Sequence, residues 1–289
     1  MSSTFLSECK QKVLNRIEAL LSNDDKVTSS MRYSALADSK CIRAGLVFAS
    51  GNLKGHLNDA ALIDIATSIE LMHTYSLIHD DLPAMDDDVM RRGQLSNHIE
   101  FNEATAILAG DALQALAFEI IASSENISDR QKVEAVKSLA TACGHQGMIL
   151  GQQYDLDAEK NEFLDIEIIH TLKTAKLIQV AMTMPFLGND QYQQTYLLLH
   201  ELGEKMGLAF QIMDDVLEAS SDSKILGKSN LSDIANDKMT YVGIYGKEKS
   251  IKKATSLSSF CIAKMQEHFE QDQSEELIEL ADFMVARAH

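Results

Sequence analysis

The stretch HDDLPAMDDDVMRRG, from His79 to Gly93, gathers five aspartates and then two arginines within fifteen residues, with Pro83 inside the acidic part. Two unpaired carboxylates about 4 Å apart repel by roughly 4 kcal/mol at an effective dielectric of 20. Several together at the end of a helix, where the dipole is also negative, are unfavourable without a cation. Hard oxygen donors of this kind suit Mg²⁺, which takes one or two carboxylates and fills its other positions with water and substrate phosphate. Arg91 and Arg92 follow at once, so metal and guanidinium together could hold a phosphate group. Taken alone, the same run also fits a solvated acidic loop closed by salt bridges to those arginines.

A second acidic cluster lies in QIMDDVLE, with Asp214, Asp215 and Glu218. Asp214 and Glu218 are four apart and share a face if the segment is helical. Apolar neighbours on both sides suggest that the carboxylates enter an apolar-lined cavity. Carboxylates from two helices could then face each other and hold metal ions between them.

The elements that must position these groups read as helices. The chain of 289 residues has only two prolines, Pro83 and Pro185, and few aromatic residues. Leu62, Ile65, Ile69, Met72 and Leu77 repeat near period 3.6, so the segment ending at Asp80 and Asp81 is helical. Pro83 disfavours helix at Leu82, and a loop over 82–85 can return Asp86 to the side of Asp80. Ser128 with Gln131 three residues later predicts a capping-box helix start. Leu202, Met206, Ala209 or Phe210, and Met213 repeat in the same way around the second cluster. At the N-terminus Phe5, Val13, Ile17 and Leu20 can share one helical face. Alternating strand patterns with hairpin turns are absent. The one long interruption, about Ser220 to Tyr241, has the length of a lid or binding loop. No composition shift marks a boundary, so the expectation is an all-α fold in a single domain spanning 1–289.

A net charge of −17 and a pI near 4.9 repel nucleic acid and anionic membrane, which excludes both as expected partners. The same charge repels phosphorylated substrates, so a site for one must be locally basic or use metal. Cys9, Cys41, Cys143 and Cys261 are dispersed, which predicts reduced thiols. The first residues lack a signal-peptide pattern, and no apolar run reads as long enough to cross a bilayer. The expected location is the cytoplasm.

HTYSLIHDDLPAMDDDVMRRG followed by AILAGDALQALAFEII resembles the first aspartate-rich motif of the short-chain trans-isoprenyl diphosphate synthases, in the spacing of bacterial-type farnesyl diphosphate synthases. GQQYDLD, LKTAKLI, AFQIMDDVLE, LGK and NDKMTY follow in that family's order, and the similarity runs from about Met31 to Tyr241. The resemblance implies an all-α bundle around a deep central apolar cavity, usually a homodimer, that condenses isopentenyl diphosphate with dimethylallyl or geranyl diphosphate. It implies a catalytic set of Asp80, Asp81, Asp86, Asp214, Asp215, Lys173 and Gln211. Mg²⁺, three ions per site in the family, would be bound by Asp80, Asp86 and Asp214. Arg91, Lys173, Thr174, Gln211 and Lys228 would grip the allylic diphosphate, with Lys238 near the leaving diphosphate. Lys40, Arg43, His73 and Arg92 would hold isopentenyl diphosphate. Tyr75 and Ser76, five and four residues before Asp80, would set product length, and the aromatic at Tyr75 implies a fifteen-carbon product.

The chain departs from the family pattern at DSKCIRA, where Asp38 and Ser39 replace two glycines, Cys41 an arginine and Ala44 a proline. An aspartate there should weaken isopentenyl diphosphate binding. Glu218 replaces an aspartate, and Leu150 stands where a glycine is usual. Geranyl or geranylgeranyl diphosphate synthesis, or a weakly active regulatory subunit, are the alternative activities. A terpene cyclase would not need Lys40, Arg43 and His73 and usually carries a different second metal motif.

Overall fold

The computed structural model describes residues 2–158, 165–225 and 239–286. The all-α expectation holds. The helices are α1 (Ser2–Leu20), α2 (Lys26–Ala35), α3 (Ile42–Asn52), α4 (Asp59–Asp80), α5 (Asn97–Glu100), α6 (Glu103–Ser123) and α7 (Asp129–Cys143). They continue with α8 (Met148–Ala158), α9 (Ile166–His170), α10 (Lys176–Thr183), α11 (Gln193–Ile225), α12 (Tyr241–Tyr245), α13 (Lys247–His268) and α14 (Gln271–Ala286). A π-helical turn, Thr171–Ala175, joins α9 to α10.

The chain folds as two compact units, Met1–Ser138 with Thr183–Gln193, and Leu139–Met182 with Gln194–His289. In the first, α4 is the axis. Leu62, Ile65, Ile69, Met72 and Ile78 are buried to 2% exposure or less, each contributing about 1.5–3 kcal/mol on transfer from water. Leu77, grouped with them by periodicity, is only half-buried. Asn58 caps α4 by accepting from the Ala61 N–H, and Asp25 caps α2 at Thr28 over 2.9 Å; each cap contributes about 1 kcal/mol. Ser68 Oγ donates to the Ala117 carbonyl over 2.7 Å and ties α4 to α6. In the second unit Ile169, Ala209, Ile212, Met213, Val216, Tyr241 and Ala254 form one core around α11, while Ser258 on α13 donates to the Ala281 carbonyl of α14.

The structure refines several sequence expectations. The predicted capping box forms, with Ser128 N–H donating to Gln131 Oε1 at 3.0 Å and Gln131 N–H to Ser128 Oγ at 3.3 Å. On α1 the buried stripe is Leu6, Cys9, Val13 and Ile17, continued by Leu21. Phe5 and Leu20 lie one position off it and are half-buried, because Cys9 sets the phase of the face. α11 continues through Ser220 to Ile225, so helix persists into the expected loop; residues 226–238 of that loop lie outside the described residues. A short hairpin does exist: Met90–Arg91 (β1) pairs antiparallel with Gln94–Leu95 (β2). Its turn residues, Arg92 and Gly93, have φ of 54° and 79°, the left-handed pair that a two-residue hairpin turn demands. Two-residue strands are too short for a period-2 pattern to register. α6 is, by length and composition, apolar enough to cross a membrane, contrary to the sequence reading. Within the structure, 44% of its apolar window is buried, and length and composition alone are weak evidence for a membrane span.

Candidate active site

The end of α4 does what the proline predicts. The Met85 N–H closes onto the Leu82 carbonyl at 2.8 Å, and the Asp86 N–H returns to the Asp80 carbonyl at 2.8 Å. That second bond places Asp86 beside Asp80, and both are half-buried. Asp81 is 2% exposed. Its Oδ1 accepts from Arg91 Nε at 2.9 Å and from Arg91 Nη2 at 2.6 Å, while Nη2 also donates to Asp88 Oδ2 at 2.7 Å. Burial raises the Asp81 pKa and the Arg91 charge opposes the rise. Asp81, expected in the catalytic set, is therefore tied to Arg91 through Oδ1. Nη1 of Arg91 is not used in these bonds, so the guanidinium keeps a face for a further anion.

One and two turns back along α4 lie Ser76, Tyr75 and His73. Tyr75 is 5% exposed and meets the His79 ring edge-on at 5.7 Å. Ser76 Oγ donates to the His73 carbonyl at 2.8 Å. Burial first, then the guanidiniums of Arg43, Arg92 and Arg91, push the His73 imidazole well below its ordinary range. It is neutral at pH 7, a hydrogen-bonding group and not a counter-ion. Three predicted arginines and His73 are thus gathered in one electrostatic neighbourhood. Arg43 sits in the first turn of α3, beside the exposed Lys40. The buried Glu70 carboxylate accepts from the Ala44 N–H at 2.8 Å and anchors that helix start. Asp38, expected to repel substrate, is paired with Lys10 at 2.5 Å, and Lys10 followed by Arg92 holds its carboxyl below the usual range. Sequence reasoning missed Glu70 and Lys10, since nothing in spacing links residues 26 or 28 positions apart.

In the second unit Asp214 and Asp215 fall mid-helix on α11. Asp214 is half-buried, and Glu218, on the same face, is exposed. Asp215 is 5% exposed; Oδ2 accepts from the Tyr241 backbone N–H at 2.7 Å and Oδ1 from Gln211 Nε2 at 3.1 Å. Gln211 Oε1 in turn accepts from Thr174 Oγ1 at 2.7 Å. Lys173 Nζ reaches Asp155 Oδ2 at 2.6 Å. Of the predicted residues, Thr174, Gln211 and Asp215 therefore form one hydrogen-bonded chain that Tyr241 extends and His170 approaches, while Lys173 pairs separately with Asp155. Asp155 lay in plain view in GQQYDLD and Tyr241 at the end of NDKMTY; His170 gave no such signal. Lys228 and Lys238 lie outside the described residues.

The donors fit a hard divalent ion. Carboxylates of this kind suit Mg²⁺, an ion bound by one or two carboxylates plus substrate phosphate; among the described residues no three His, Cys, Asp or Glu side chains form a metal cluster.

A helical protein with two aspartate pairs, each tied to neighbouring donors and one of them to a guanidinium, has the equipment of the class that handles diphosphates with a divalent metal. The model of the polyprenyl synthetase family matches residues 24–281, which reach into both units. The chain belongs to that family. It is 40% identical over 272 residues to a farnesyl diphosphate synthase of Haemophilus influenzae, covering 90% of this chain and 92% of the relative. It is 39% identical over 288 residues to the Escherichia coli farnesyl diphosphate synthase, covering 98% and 96%. A crystal structure of a Helicobacter pylori geranyltransferase complexed with magnesium and isoprenyl diphosphate superposes with a TM-score of 0.81 at 30% identity, covering 99% of each chain.

Proposed function

We propose that the chain is a farnesyl diphosphate synthase, joining isopentenyl diphosphate to dimethylallyl and then geranyl diphosphate. The observation that supports this most is near-complete coverage at about 40% identity by two farnesyl diphosphate synthases, on a chain whose two aspartate pairs are both backed in place. Asp80, Asp86 and Asp214 would hold Mg²⁺, with three ions per site. Bound there, Mg²⁺ neutralises the diphosphate so that the allylic C–O bond can ionise. Lys173, Thr174, Gln211, Arg91 and Lys228 would grip the allylic diphosphate, and Lys238 the leaving group. Lys40, Arg43 and Arg92 would carry the charge of isopentenyl diphosphate, with neutral His73 as a hydrogen-bonding partner. The proton lost on condensation passes to the released diphosphate, so no side-chain base is required.

Each added isoprene unit buries five carbons, about 4 kcal/mol in favour of further growth, so a wall is needed. Tyr75 is that wall, with Ser76 beside it. The chain would act as one synthase domain in the cytoplasm, without inserting in a membrane or binding nucleic acid. It would pair as a homodimer, for which the exposed Ile107 (43%) and Leu108 (54%) of α6 offer apolar surface. Incubation with Mg²⁺, labelled isopentenyl diphosphate and geranyl diphosphate, followed by sizing of the dephosphorylated products, tests the reading. Fifteen-carbon alcohol supports it; no Mg²⁺-dependent elongation sinks it and leaves the regulatory-subunit alternative. Tyr75→Ala should shift the distribution to twenty carbons and beyond, and an unchanged length removes Tyr75 as the wall.

A further inference from the structure

The π-helical turn Thr171–Ala175 presents Lys173 and Thr174. Single π turns are rare, and surrounding structure has to impose them. Two close backbone approaches help to impose this one. A Cβ on Gly151 of α8 would collide with the Lys173 backbone nitrogen, and one on Gly207 of α11 would collide with Ala175. Steric clamping fixes where the turn lies, but the aim of its side chains needs polar ties.

Those ties converge on Asp215. At the exit, Thr174 Oγ1 donates to Gln211 Oε1 at 2.7 Å, and Gln211 Nε2 donates to Asp215 Oδ1 at 3.1 Å. At the entry, His170 is the last residue of α9, and its Nε2 lies 3.4 Å from Asp215 Oδ2. Asp215 therefore takes a hydrogen bond from the exit side and a longer contact from His170 on the entry side, and the Tyr241 N–H at 2.7 Å holds the carboxylate between them. His170 is 5% exposed, and its ring stacks on Tyr241 at 6.2 Å. Its Nδ1 is buried without a hydrogen-bond partner among the described residues, so the imidazole gains nothing from that side. A buried unpaired polar atom persists where the rest of the side chain is needed.

We propose that His170 is a positioning residue for the allylic-diphosphate grip. Through Asp215 it fixes which way the Gln211 amide points, and through Gln211 it fixes the Thr174 hydroxyl and the turn that carries Lys173. It is buried and does not touch substrate. This inference rests on the proposed activity for the identity of the anion, and on this unit alone for its geometry.

The experiment compares His170→Leu, which fills the space without a donor, with His170→Gln, whose amide nitrogen can stand where Nε2 stands. The Leu variant should raise KM for geranyl diphosphate about tenfold, the equivalent of about 1.4 kcal/mol, and leave KM for isopentenyl diphosphate within about twofold. The Gln variant should recover most of the loss. A merely structural histidine would instead lower melting temperature and shift both KM values together, and that result overturns the proposal, as does equal behaviour of Leu and Gln. If the Leu variant does not fold, a double-mutant cycle between His170→Ala, which removes the ring nitrogen, and Thr174→Val decides. Non-additive effects on geranyl diphosphate binding support the proposal, and additivity overturns it. Calorimetric titration with geranyl diphosphate and Mg²⁺ reads the same affinities without turnover. An inactive wild-type protein would then count against the proposed activity while leaving this inference testable.

Discussion

The two aspartate pairs have the same sequence, Asp-Asp, and opposite settings. Asp80 and Asp81 close α4, where the helix dipole is negative and Pro83 breaks the backbone. Asp214 and Asp215 stand inside the unbroken α11. In both, the first aspartate is half-buried and the second is buried. What the buried partner is tied to differs. Asp81 binds a cation, and both Arg91 bonds fall on one oxygen, Oδ1. Asp215 takes neutral N–H donors from Tyr241 and Gln211, one on each oxygen. A helix end offers no spare backbone donors to an anion, so the first pair requires a guanidinium. A helix interior packed against α12's start can lend a backbone N–H. Buried second residues are thus tied to neighbouring donors, while the half-buried first residues are the ones proposed as metal ligands.

That division can be broken most forcefully at the first residues. Asp80→Ala and Asp214→Ala should each lower kcat by about 10²–10³-fold, the scale of losing one electrostatic stabiliser, with melting temperature within about 2 °C of wild type by the size scaling of small surface changes. A large melting shift would erase the distinction between the partners. Next in size is a contrast between the second residues. Asp81→Asn keeps an oxygen for both Arg91 bonds, but Asp215→Asn must turn an NH₂ toward one of two N–H donors. The Asp215 variant should therefore be less stable than the Asp81 variant by about 1–2 kcal/mol in urea unfolding. Equal values would mean that charge, not donor count, governs both.

The smallest effect separates the two histidines. Burial, with three guanidiniums, holds His73 well below its ordinary range, whereas Asp215 and Asp155 oppose burial at His170. The unfolded chain binds protons that these folded imidazoles refuse, so stability is present above the unfolded value of about 6.5 and falls as pH drops below it. His73→Gln should flatten the loss of melting temperature between pH 7.5 and 5.5 more than His170→Gln does. The reverse order would show that the guanidiniums around His73 are more screened than the structure suggests.

Much of the architecture was legible in the chain itself. The α4 stripe, the Ser128 capping box and the loop that returns Asp86 to Asp80 all depend on residues within one or two turns, where sidedness and proline sterics are local. Where the reading slipped, a single residue or a long separation was responsible. Cys9 shifts the buried face of α1, and two-residue strands are too short to show a period. The bond from Arg91 to Asp81 was not legible either, because it depends on a hairpin whose turn is Arg92–Gly93.

By itself, the sequence determined the helices, the acidic clusters and the family they resemble, because helical periodicity and local turn chemistry are written in neighbouring residues. Tertiary structure alone decided what each buried carboxylate does. It set Glu70 on α3, Lys10 on Asp38, and Asp215 between His170, Gln211 and Tyr241. The π turn at Lys173 was equally invisible beforehand, since the close approach of α8 and α11 that helps to impose it joins segments far apart in the chain. Those choices join residues far apart in the chain, and a hydrogen bond between distant groups exists only once packing has brought them within about 3 Å.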